Sequence, residues 1–84
     1  MMTAQEQETL LTLLKVLADE SRLTLIRLLN EREYNAGELA TELELAEPTV
    51  SHHLAKLHGA GLIRLRMAGN QRFYALNVME LNQF

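Results

Sequence analysis

Residues 47–67 read Glu47-Pro48-Thr49-Val50-Ser51-His52-His53-Leu54-Ala55-Lys56-Leu57-His58-Gly59-Ala60-Gly61-Leu62-Ile63-Arg64-Leu65-Arg66-Met67, and the hydrophobic period changes inside them. Up to Leu57 the large apolar residues Val50, Leu54 and Leu57 recur every three or four positions, as on one face of a helix. From Leu62 the period is two: Ile63, Leu65 and Met67 fall on one face, Arg64 and Arg66 on the other. Gly59 and Gly61 lie at the switch, where a helix can end. Pro48 suits the first helical turn, where no backbone donor is lost. Ala68-Gly69-Asn70 is a turn signal, and residues 71–76 read as a return strand with Arg72 on the face opposite Phe73. The pattern predicts a helix over 47–58 followed by a β-hairpin over 62–76.

Working outward, Asn35-Ala36-Gly37-Glu38 has the form of a capping box. It predicts a short helix over about 36–44 that buries Leu39, Ala40 and Leu43. Leu45-Ala46 is left as the turn before the next helix. Two short helices joined in this way make a helix-turn-helix, whose second helix can enter the major groove of DNA. Upstream, Asp19 is a suitable N-cap for a helix over about 20–30, with Leu23, Leu25, Ile26, Leu28 and Leu29 as its apolar positions. Glu31-Arg32-Glu33-Tyr34 breaks that pattern. A first helix over about 3–18 carries Leu10, Leu13, Leu14 and Leu17, and Leu11 and Val16 widen its apolar surface past one stripe. That excess predicts packing on a second body as well as on its own domain. Residues 78–84 read as the start of a last helix. The expected fold is a mainly α, single-domain winged helix-turn-helix over 1–84, with four to five helices and one hairpin wing.

Composition narrows the function. A chain of 84 residues buries only about 60–65% of its unfolded surface, so its core is thin and a partner subunit would help. It has no cysteine, which removes disulfides, thiolate nucleophiles, thiol redox switches and Cys-based zinc sites. Eighteen leucines against five Val plus Ile favour helix over sheet. The longest uninterrupted apolar run is Phe73–Leu76, too short to span a bilayer. Met1–Glu6 lacks the basic-then-apolar form of a secretory leader; a cytoplasmic protein without a membrane segment is expected.

Net charge is −3, which alone argues against nucleic acid, but the charges are sorted along the chain. Residues 1–42 hold four basic and eight acidic side chains, whereas Pro48–Met79 contains no acid and holds all three histidines with Lys56, Arg64, Arg66 and Arg72. With Val50, Leu54 and Leu57 inward, the helix turns Thr49, His52, Ala55, Lys56 and Gly59 outward, with Pro48 and Ser51 beside them. Small residues, short hydrogen-bonding groups and one cation suit base edges. An ordinary solvated face would carry Glu and Lys four apart. Arg64, Arg66 and Arg72 near the hairpin tip suit phosphate contact or minor-groove insertion, or serve only to protect an edge from aggregation.

No enzyme chemistry is indicated. Ser51 and His52 diverge as helix neighbours, and no phosphate-cradling Gly-rich loop is present. His52, His53 and His58 lack the i, i+4 spacing of paired metal ligands, so neither a metal nor any other cofactor is expected. His53 borders the apolar stripe and reads as a half-buried histidine with a hydrogen-bond partner, and His52 as a DNA contact.

The order of these segments resembles the ArsR/SmtB type of winged helix-turn-helix repressor. Leu17-Ala18-Asp19-Glu20-Ser21-Arg22-Leu23 is similar to that family's Leu-Ala-Asp-x-x-Arg-Leu signature, with the closing Ile-Leu pair reversed as Leu25-Ile26. Glu38-Leu39-Ala40, Thr49–Leu57, Gly61-Leu62-Ile63, and Gly69 with Arg72–Leu76 follow in the family's order, so the resemblance covers about residues 8–77. It implies a homodimeric transcriptional regulator, usually a repressor released by a ligand, on a pseudo-palindromic double-stranded operator. The DNA contacts would come from Pro48, Thr49, Ser51, His52 and Lys56 on the recognition helix, and from Arg64, Arg66 and Arg72 on the wing. The third helix terminus would add phosphate contacts. The chain departs from the family in three places. No Cys stands in Glu33–Leu39, where many relatives bind metal. Other relatives bind zinc through Asp, His and Glu on a helix after the wing, and residues 1–84 are expected to stop short of that helix. Ala46 replaces the common Ser cap. A small organic effector then remains as a possible signal. The alternative reading, supported by the net charge, is a winged-helix protein–protein interaction module that does not bind DNA.

Overall fold

The computed structural model describes residues 1–77. The elements run α1 (Ala4–Leu17), α2 (Glu20–Glu31), β1 (Tyr34–Asn35), α3 (Ala36–Leu43), α4 (Glu47–Gly59), β2 (Ile63–Ala68) and β3 (Gln71–Leu76). This is a winged helix-turn-helix: helices in the predicted places, then a hairpin. The further helix expected over 78–84 lies outside the described residues.

Each helix start has a local cause. Thr3 and Glu6 form a reciprocal capping box for α1, a Thr-x-x-Glu pattern that starts the helix at Ala4. Asp19 Oδ2 accepts from the Arg22 N–H at 2.9 Å and caps α2. Asn35 Oδ1 accepts from the Glu38 N–H at 2.8 Å while Glu38 Oε1 accepts from the Asn35 N–H at 2.9 Å, closing the expected box at α3. Beyond α3, Glu44 takes the left-handed conformation at φ 55°, and the Leu45 N–H reaches back to the Ala40 carbonyl. Past α4, Gly61 sits at φ 77°. That backbone favours glycine and lets the Leu62 N–H bond the Leu57 carbonyl at 3.1 Å.

The core gathers Leu25, Leu28 and Leu29 from α2, Leu39 from α3, and Val50, Leu54 and Leu57 from α4, closed by Tyr34, Leu62, Ile63, Tyr74 and Leu76. From α1 only Leu13, Val16 and Leu17 pack against it, and only partly. Leu23 was expected among the apolar contacts of α2 but is 52% exposed. It lies off the face that carries Leu25, Leu28 and Leu29.

Two findings correct the hairpin as read from the sequence. The segment that breaks the α2 pattern ends in a strand: Tyr34 and Asn35 pair antiparallel with Tyr74 and Phe73, so the sheet has three strands in the order β1-β3-β2. The alternation in β2 is real, yet only Ile63 at its start is buried; Leu65 and Met67 are exposed. Past Ile63 the strand leaves the buried cluster, and its apolar side chains are covered only in part. Gly69 and Asn70 turn the hairpin, with Gly69 at φ 61°, the backbone that primed hairpin turns require.

Candidate nucleic-acid interface

Helix α4 is anchored by Val50, Leu54 and Leu57, all essentially inaccessible. The opposite face follows from the 100° step per residue. Pro48, Thr49, Ser51, His52, Ala55 and Lys56 are all exposed. Glu47 in the first turn is the helix's one carboxylate. Ala46 gives no side-chain cap; its carbonyl instead accepts from the Thr49 and Val50 N–H groups at 3.0 and 3.2 Å. The resulting surface offers hydroxyl, imidazole and ammonium groups around the small Ala55, a composition suited to base-edge readout.

The two adjacent histidines part as expected. His52 is exposed, while the His53 side chain is 15% exposed and meets Arg22 Nη1 through Nδ1 at 3.1 Å. Asp19 Oδ2 lies 3.8 Å from the same nitrogen. The Asp19 carboxyl is held below its usual range, first by the Arg22 backbone N–H and then by the Arg22 charge.

The wing divides its arginines. Arg66 pairs across the hairpin with Phe73 and Arg64 with Ala75, whereas Met67 pairs with Arg72 and Leu65 with Tyr74. Arg64 and Arg66 therefore stand on one face of the sheet and Arg72 on the other. Arg66 grips Glu33 with two nitrogens at 2.6 and 3.1 Å and lies 4.9 Å from the centre of the Phe73 ring. That bidentate contact holds the Glu33 carboxyl below its usual range and raises Arg66 above its own. Arg72 faces a cleft of about 420 Å³, also lined by Gly37 of α3, Glu47 and Ser51 of α4, Asn70 and Tyr74. The structure thus brings Ser51 and Arg72 to one cleft beside the start of α3, and ties Arg66 to an acid on the far side of the sheet. Sequence spacing gave no signal for the Glu33–Arg66 or Arg22–His53 contacts, since each joins residues more than thirty positions apart.

Among the described residues, no group of three or more His, Cys, Asp or Glu is arranged to hold a metal ion. No described helix is long and apolar enough to cross a membrane.

Residues 19–64 match the sequence profile described as bacterial regulatory protein, arsR family. The arsenical resistance operon repressor of Staphylococcus aureus is 40% identical over 66 residues, which is 79% of this chain and 64% of that protein. The transcriptional activator HlyU of Vibrio cholerae serotype O1 is 39% identical over 69 residues, 82% of this chain and 64% of that protein. The solved structure of HlyU from Vibrio cholerae N16961 superposes with a TM-score of 0.81 at 33% identity, covering 96% of this chain and 95% of that one. The aligned stretch spans 64% of each of these two curated relatives. The matched residues run from the Asp19 cap of α2 through α3 and α4 into the first strand of the wing, and the chain belongs to the arsR family of bacterial regulatory proteins.

Proposed function

We propose that this chain is a sequence-specific, DNA-binding transcriptional regulator of the repressor kind, acting as a homodimer on a pseudo-palindromic operator through one winged helix-turn-helix domain. The observation that carries this reading is the exposed face of α4, where Pro48, Thr49, Ser51, His52 and Lys56 surround a surface with no carboxylate after Glu47. In the proposed complex Thr49, Ser51 and His52 read base edges, and Lys56 adds a phosphate contact. Arg72 meets the backbone from the cleft beside α4. Arg64 and Arg66 act from the outer face of the wing, and Arg66 does so only by giving up Glu33. The exposed α1 surface supplies the partner contact and sets the two recognition helices about one DNA turn apart, ~34 Å. A small organic molecule is the kind of effector that suits a chain without cysteine.

The test is binding to a pool of random duplexes at low salt, followed by rounds of selection. Enrichment of two-fold related half-sites about one turn apart is the expected result. Arg72→Ala should reduce the slope of log affinity against log salt by about one, while Arg66→Ala, already neutralised by Glu33, should change it by less. A chain that retains no duplex at low salt and enriches none is the protein-interaction module instead.

A further inference from the structure

One guanidinium joins three helices. Arg22 Nε donates to the Val16 carbonyl in the last turn of α1, Nη1 meets His53 Nδ1 on α4 at 3.1 Å, and the Arg22 backbone N–H donates to Asp19, the cap of α2. Arginine has donors only. Nδ1 of His53 must therefore be the acceptor, which fixes a neutral ring with its proton on Nε2. The outward neighbour His52 has its ring centre 6.0 Å away.

We propose that Arg22 and His53 are positioning residues, coupling the seat of α1 to the seat of α4 as long as His53 is neutral. This rests on the reading of α4 as the DNA-reading helix and adds a proton-sensitive joint behind it. The groups that face the His53 ring among the described residues are Arg22 and Asp19 from the start of α2 and His52 from its own helix; α1 contributes the Val16 carbonyl through Arg22. When the ring takes a second proton, Nδ1 becomes a donor and two cations meet at the Arg22 contact. Asp19 Oδ2, 3.8 Å from Nδ1, is then the stronger partner. Arg22 loses its hold on α4 while keeping the Val16 carbonyl, so the link between the two helices opens.

The experiment follows backbone and imidazole nitrogen resonances of the full chain from pH 7.5 to 5.5. In the wild type, the Nε2–H tautomer of His53 is expected at pH 7.5. The amides of Val16, Leu17 and Ala18, far in sequence from every histidine, should move with the His53 midpoint. His53→Gln offers an acceptor oxygen that does not titrate, and should hold those amides still. Arg22→Lys keeps the charge but cannot make both contacts, and should lose the common midpoint. A second arm measures, at pH 7.5, the affinity for a duplex selected from a random pool over that for the unselected pool. Arg22→Lys should lower this ratio at least fivefold, and His53→Gln should keep it within twofold. Amides of 16–18 that stay fixed in the wild type through the His53 titration, or that move equally in His53→Gln, overturn the coupling. If selection enriches no duplex, the proposed function fails, and the resonance arm still decides the coupling alone.

Discussion

Helices α1 and α4 have nearly the same length and opposite economies of apolar surface. The thirteen residues of α4 include three large aliphatic side chains, and all three are buried. The fourteen residues of α1 include Leu10, Leu11, Leu13, Leu14, Val16 and Leu17, and none is buried. The exposed leucines Leu10, Leu11 and Leu14 stand between 41% and 52% accessible. Burial drives helix formation in a small domain far more than propensity does. α4 therefore draws its stability from the chain's own core, whereas α1 carries apolar surface that this core leaves exposed. The difference is that α4 keeps its apolar residues on one buried face and leaves the other polar and wet, whereas α1 spreads apolar residues past the one face that its own core covers.

The sharpest way to break this contrast is to truncate one leucine on each helix. Leu54→Ala should lower stability in urea unfolding by about 2–5 kcal/mol, and Leu14→Ala in the isolated subunit should cost much less; equal costs would remove the distinction. Charging the open face with Leu11→Glu and Leu14→Glu together should raise the dimer dissociation constant at least a hundredfold, about 2.7 kcal/mol, with the core still folded. Sedimentation over a dilution series reads the first effect and circular dichroism the second. On the wet side of α4, Thr49→Ala or His52→Ala should cost about 1–3 kcal/mol of preference for a selected duplex and leave the urea midpoint unmoved. A shifted midpoint would mean that these side chains pack rather than read.

Smaller effects probe the helix starts. Among the described helices α4 alone begins without a side-chain cap, so Ala46→Ser should stabilise the fold by about 1 kcal/mol in thermal melting. The carboxyls of Glu6, Asp19 and Glu38 are lowered chiefly by N–H groups at their helix starts: the Thr3 and Asn35 backbone for the glutamates, Arg22 for Asp19. A lowered folded value contributes stability that is present above the unfolded carboxylate range, about pH 4, and is lost as pH falls through the folded value. Helicity should therefore hold from neutral pH down to about pH 4 and fall below it. Asp19→Asn, which still caps but does not titrate, should make that acid loss shallower.

What was legible in the sequence is what neighbours in the chain decide. Asp19, Asn35 and Glu38 bond groups three residues away, and Val50, Leu54 and Leu57 mark a face by their own spacing, so α2, α3 and α4 followed directly. The outward residues Thr49, Ser51, His52 and Lys56 are where that spacing puts them. Tyr34 and Asn35 are too short a strand to display a period; only their pairing with β3 makes them one. Leu65 and Met67 alternate as a buried face would, yet the depth of the core beneath a strand is a property of the whole fold. The same holds for Glu33 on Arg66 and for Arg22 on His53, which distribute the basic side chains between working and occupied roles.

The two-residue strand β1 also governs the order of assembly. Its pairing of Tyr34 with Tyr74 closes a loop of roughly forty residues, an entropic cost on the order of 3 kcal/mol before any contact repays it. The contacts of α3 with α4 lie inside that loop and close far shorter ones. Docking of β3 onto β1 is therefore expected late in folding and early in unfolding, and truncating Tyr34 should raise the unfolding rate while barely slowing refolding.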